Sequence, residues 1–171
     1  MSIHVEAYTA SGVVRGVVAR SGHLRDVLEA GGDLPIERAT WQAHGWPTPS
    51  PAGQVDVPID DLLVAIGDDD PTIPVHAAWH RLRVDLPPYV LTGELATLPG
   101  YDPGRALARP SGMFVVLRDA ELGTENAAPS RPIGHVVLVN RYAVERVSAD
   151  LMLGFYFPGA ALEDLDAAVS V

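Results

Sequence analysis

The sequence predicts a mostly β protein written as two successive halves, and three observations carry that reading. Apolar residues recur at close to every second position through most segments, the spacing of half-buried strands rather than of helices. With 16 Gly and 15 Pro among 171 residues, turns interrupt the chain too often for long helices. Four segments of the first half also lie over four of the second in the same order. Val13–Ala19 matches Val90–Ala96, Arg25–Leu28 matches Gly104–Leu107, Leu34–Ala39 matches Val115–Ala120, and Val57–Ile66 matches Leu138–Val147.

Each element follows from its local chemistry. In the first half, Val5, Tyr8 and the run Val13–Ala19 suit a hairpin turning at Ala10-Ser11-Gly12. Leu24–Leu28 suits one or two helical turns ended by Gly31-Gly32, because glycine accepts the left-handed backbone at a helix end. Ile36–Trp41 suits a strand, and the Pro-containing Ala43–Gly53 suits a loop. An apolar strand, a tight turn and a short strand follow through Ile66. Gly67–Asp70 reads as a solvated linker rather than a calcium loop, which would space its ligands at alternate positions.

In the second half, Trp79–Leu86 alternates large apolar with polar residues, Pro87-Pro88 turns the chain, and Tyr89–Ala96 returns it. Arg105–Arg109 suits one helical turn before Pro110. Phe114–Ala120 and His135–Val139 suit strands around the loop Gly123–Gly134. Leu151–Gly159 is the most apolar stretch and reads as a last core strand or a subunit-pairing edge strand. Leu162–Val169 reads as an amphipathic C-terminal helical turn or two.

Strand, turn, strand with a central Gly, helical insertion, strand, variable loop and two closing strands resemble the bipartite pattern of Sm-like, SH3-like small β-barrels. His135-Val136-Val137-Leu138-Val139-Asn140-Arg141-Tyr142-Ala143-Val144-Glu145-Arg146-Val147 looks like the second motif of that family. Gly16 and Gly93 stand where such barrels bend their second strand, a position that favours a residue without a side chain. The resemblance implies two strongly bent small barrels in tandem with short helical insertions. The first spans 1–70 and the second 71–159, with 160–171 a C-terminal tail or short helix. The chain resembles bacterial proteins of unassigned function with this strand pattern, some of them tandem.

RNA-binding Sm-like proteins hold a base with an Asp and Asn pair after the second strand and an Arg-Gly turn after the fourth. Here the first position offers Arg20-Ser21-Gly22-His23 and Leu98-Pro99-Gly100-Tyr101-Asp102, and the second offers Asp60-Asp61 and Asn140-Arg141. The carboxylates of the first half would repel phosphate.

Composition excludes more than it assigns. The formal charge is −10, all 12 cations are Arg, and there is no Cys. Disulfides, thiolate metal sites, lysine Schiff bases and a phosphate-loop lysine are therefore impossible. A net negative field disfavours nucleic acid and anionic membranes. No apolar run reaches signal or membrane-spanning length, so a cytoplasmic, soluble chain is expected.

No catalytic residue stands out. Ser11, Ser21 and Ser111 each precede Gly in turn dipeptides, and Asp60-Asp61 should point apart. His76 and His80 would lie about 13 Å apart on one strand face, too far to share a metal ion. Neither metal nor cofactor is expected. The expected role is a non-enzymatic interaction or assembly module, self-associating or meeting an unidentified protein partner. Strand edges offer a route to rings, three chains of two barrels making six. Two alternatives stay open: a small-molecule binder or enzyme with a site between the halves using His76, His80, Arg81 or Arg83, and a nucleic-acid binder using Asn140, Arg141 and Arg146.

Overall fold

The computed structural model describes residues 2–19, 22–68, 78–97, 112–125, 130–149 and 157–164. Strands hold 68% of them and helical turns 7%, so the chain is mostly β. Its backbone divides into two units, Met1–Pro71 and Thr72–Val171.

The first unit opens with β1 (Ile3–Thr9) and β2 (Gly12–Val18), joined by the two-residue turn Ala10-Ser11. Helix α1 (Leu24–Glu29) follows and buries Leu24, Val27 and Leu28, a stripe of helical spacing. The chain leaves it through Gly31 and Gly32, at φ +74° and +88°, where a side chain would be strained. Then come β3 (Asp33–Ala43), β4 (Ser50–Pro58), a 3-10 turn over Ile59–Asp61 and β5 (Leu62–Gly67). The strands are antiparallel in the order β5-β1-β2-β3-β4. Tyr8, Leu24, Leu28, Leu34, Ile36 and Leu62 are the largest fully buried side chains of this unit, each contributing about 1.5–3 kcal/mol by leaving water.

The second unit contains β6 (Ala78–Leu86), β7 (Tyr89–Thr97), β8 (Phe114–Thr124), β9 (Arg131–Asn140), β10 (Arg146–Ala149) and β11 (Ala161–Asp164). Its order is β11-β10-β6-β7-β8-β9, antiparallel except for the parallel pair β10 and β11. Without β11, this is the strand order of the first unit. Burial along β7 alternates without a break from Tyr89 to Thr97, as a half-buried strand requires. Pro87-Pro88, joined by a cis bond, link β6 to β7. Neither unit's sheet closes on itself among the described residues: β4 does not pair with β5, nor β9 with β10.

One irregularity recurs in both units. Between β2 and β3 the register steps from Arg15↔Thr40 to Val17↔Glu37, leaving Gly16 opposite Arg38 and Ala39. Between β7 and β8 it steps from Thr92↔Glu121 to Glu94↔Arg118, leaving Gly93 opposite Asp119 and Ala120. Arg38 and Asp119 take positive φ, +48° and +50°, so each bulge bends its strand at a residue that carries a side chain. A Cβ on Gly16 would lie 2.5 Å from Glu37 O and 2.6 Å from Ile36 Cγ2. On Gly93 the nearest atoms would be Arg118 O at 3.2 Å and Leu117 Cβ at 3.4 Å.

Several sequence expectations need correction. The Pro-containing loops are shorter than expected, because β3 and β8 run on to Ala43 and Thr124 while β4 and β9 begin at Ser50 and Arg131. Pro51 sits within β4, opposite Thr40. That strand is the end of its sheet, where a missing N–H costs no ladder bond. Ala65, rather than Ile66, is the counterpart of Val147, since Ala7↔Ala65 and Val84↔Val147 are equivalent pairs. Ala161–Asp164 is strand, not helix: it adds to β10, with Arg146 Nε 3.3 Å from Glu163 Oε1. The remainder of that expected helix, the turn over Arg105–Arg109 and Leu151–Tyr156 fall outside the described residues. Phe157, which follows them, is fully buried in a bend.

Candidate functional site

Of the residues singled out for a site between the halves, the described ones, His80, Arg81 and Arg83, do not converge. His76 lies outside the described residues. His80 is half-buried with Nε2 2.8 Å from Thr97 Oγ1, a contact that accounts for the imidazole structurally. Arg81 and Arg83 lie on the opposite face of β6, as period two dictates for neighbouring residues. Arg83 Nε donates to Asp85 Oδ1 at 3.0 Å, and Arg81 is exposed, opposite Glu94. One strand therefore separates His80 from both guanidiniums.

Asn140 and Arg141 form the turn between β9 and β10. Asn140 Oδ1 accepts the Tyr142 N–H at 3.1 Å, which shapes the turn. Arg141 is 7% exposed, its backbone N–H donates to Met113 O, and its guanidinium donates through Nη2 to Tyr142 Oη at 2.9 Å. Its Nε is buried without a hydrogen-bond partner. A cation so placed presents little surface to a polyanion.

The most exposed large apolar side chain among the described residues is Trp46, at 69%. It stands in the six-residue connection 44–49 between β3 and β4, beyond a ribbon whose Ser50–Gln54 stretch is exposed on both faces. Polar bonds hold this tip. Trp46 N–H donates to Ala43 O at 3.0 Å, and Gln42 Nε2 donates to Trp46 O at 2.9 Å. Arg15 Nη1 donates to Gln42 Oε1 at 2.9 Å, and Arg15 Nε to Glu6 Oε2, which also accepts the Tyr8 hydroxyl. The chain of bonds thus runs from β1 across β2 and β3 to the backbone of Trp46. Trp46 is not among the candidate site residues that the sequence offers. The flanking Gly45 and Pro47, which deny it a packed strand, were the available signal.

Two of the concavities of the first unit are lined by described residues. One, of about 650 Å³, is lined by residues including Thr9, Trp41, Leu63, Asp56, Asp60 and Asp61. Asp60 and Asp61 belong to the 3-10 turn, and both are among the residues that line this hollow. The other, of about 420 Å³, is lined by residues including His4, Glu6, Arg15, Arg38, Thr40 and Asp68. Among the described residues no three His, Asp or Glu side chains converge as a metal site would require.

The second unit carries a surface cluster that sequence reading missed. The Arg118 guanidinium stacks 3.7 Å from the centroid of the Trp79 ring while Nε donates to Glu94 Oε2 at 2.7 Å. Beside it His135 Nδ1 lies 2.7 Å from Asp119 Oδ1. Each charged member has a partner, so the cluster satisfies itself. Comparison of the chain with protein-family models, with curated proteins and with solved structures finds no match.

Proposed function

We propose that the chain is a non-catalytic interaction and assembly module of two Sm-like β units, with the β3–β4 ribbon tip as its contact. The shared strand order, the shared bulge opposite Gly16 and Gly93, and the turn that joins fourth to fifth strand in each unit support the tandem Sm-like reading. Trp46 carries the interaction reading. An indole 69% exposed at a hydrogen-bonded tip costs solvation yet loses little entropy when a partner covers it. Trp is also the residue type most enriched among interface hot spots.

The contact is read as a tip rather than a long strand edge. Pro51, Pro58 and the positive φ of Gly53 interrupt the outer edge of β4, and β11 already covers one edge of β10. Self-association is the expected form. Light scattering across a concentration series should give a mass rising above that of one chain, and Trp46→Ala should weaken association at least about tenfold. Since Trp46 is exposed, the same variant should keep its denaturation midpoint to within about 0.5 kcal/mol. A wild-type chain that stays monomeric throughout the series would overturn this reading.

A further inference from the structure

The smaller concavity of the first unit is lined by an exposed guanidinium, that of Arg38, which has no partner among the described residues. Its carboxylates are committed: Glu6 accepts from Arg15 Nε at 3.2 Å and from Tyr8 Oη at 2.9 Å, and Asp68 Oδ1 accepts the His4 backbone N–H at 3.0 Å. Arg15 is committed too, to Glu6 and Gln42. Arg38 has no hydrogen bond or ion pair among the described residues, and neither do the His4 ring or the Thr40 hydroxyl.

The backbone sharpens the question. Arg38 sits at φ +48°, a conformation that a glycine would adopt without strain. Its counterpart, Asp119, shares the conformation and holds His135 at 2.7 Å. A side chain at that bulge thus has a visible use in the second unit, whereas in the first it lines a hollow with its fork of donors unspent.

We propose that this hollow binds the carboxylate of a small aliphatic acid, with the Arg38 guanidinium as the principal contact and His4 and Thr40 as further donors. The planar fork of a guanidinium matches the two oxygens of a carboxylate. A singly charged carboxylate meets the Arg38 guanidinium with less repulsion from Glu6 and Asp68, which share the lining, than a doubly charged phosphate would. Val5 and Ile66 supply apolar lining for a short chain, and about 420 Å³ leaves room for several carbons.

Butyrate is the probe, titrated at low ionic strength into the full chain and followed by calorimetry or by amide NMR shifts at Thr40 and Ile66. One forked ion pair in an open hollow should give a dissociation constant of about 1–10 mM. Arg38→Gln should weaken binding at least about tenfold. Arg38→Gly should abolish it while raising the thermal midpoint, since glycine relieves the positive φ. That opposite movement separates a binding residue from a structural one, whose loss would lower the midpoint. Butyrate bound equally by wild type and Arg38→Gln, no butyrate response in the wild type, or inorganic phosphate bound more tightly than butyrate would each overturn the proposal.

Discussion

Gly16→Ala is expected to destabilise the protein by about 3 kcal/mol, whereas the equivalent Gly93→Ala should cost about 1 kcal/mol or less. The difference lies in what the new methyl group meets. At Gly16 it would stand 2.5 Å from a backbone carbonyl oxygen and 2.6 Å from a methyl of Ile36, a fully buried side chain. A carbonyl in the middle of β3 cannot swing aside without breaking the register that sets the bulge. At Gly93 the carbonyl of Arg118 would be 3.2 Å away, so a shift of a few tenths of an ångström suffices. Alanine also restricts the unfolded chain more than glycine does, a gain of about 0.4–1 kcal/mol that offsets much of the smaller clash. Urea unfolding followed by far-ultraviolet circular dichroism measures both variants. Equal losses would mean that the two bends are not built alike.

That prediction rests on the part of the fold that was easiest to read. The β6–β7 hairpin was visible because apolar and polar side chains alternate from Leu82 to Leu86 and Pro87-Pro88 turns the chain. Gly16 and Gly93 were visible because a lone glycine inside an apolar strand asks for a neighbour at close range. The bulges left a fainter trace. Ile36 and Ala39 are buried with two polar residues between them, as are Leu117 and Ala120, and two successive polar residues break a period of two. Ala161–Asp164 left none, since four residues cannot declare a period and their pairing depends on β10, a distant segment.

The candidate sites were less legible, for a related reason. A sequence shows which residues can do chemistry but not which of them the fold has already used. His80, Arg81 and Arg83 read as one group until β6 placed them on two faces, where Thr97 and Asp85 satisfy His80 and Arg83. Arg38 and Trp46 looked ordinary, and become informative only as a guanidinium and an indole left over when the other contacts are counted.

Arg141→Met is expected to raise stability by about 1–3 kcal/mol. Arg141 is 7% exposed and has no ion pair with a carboxylate among the described residues. Burying a guanidinium costs several kcal/mol, and that cost is usually offset by a carboxylate with matching geometry. Here the guanidinium has one bond to Tyr142 Oη and sits 4.7 Å from that ring's centroid, while Nε has no partner. A phenol and a ring face recover about 1–2 kcal/mol each at best, less than the desolvation. Methionine fills a similar volume with an adaptable chain and leaves no polar atom unpaired. The Arg141 backbone N–H to Met113 O and the Asn140 Oδ1 bond that shapes the turn do not depend on the side chain. Asn140→Ala therefore serves as the control and should lose about 1 kcal/mol. Thermal and urea unfolding of both variants would decide the matter: a destabilised Arg141→Met would show that this buried cation holds the turn together.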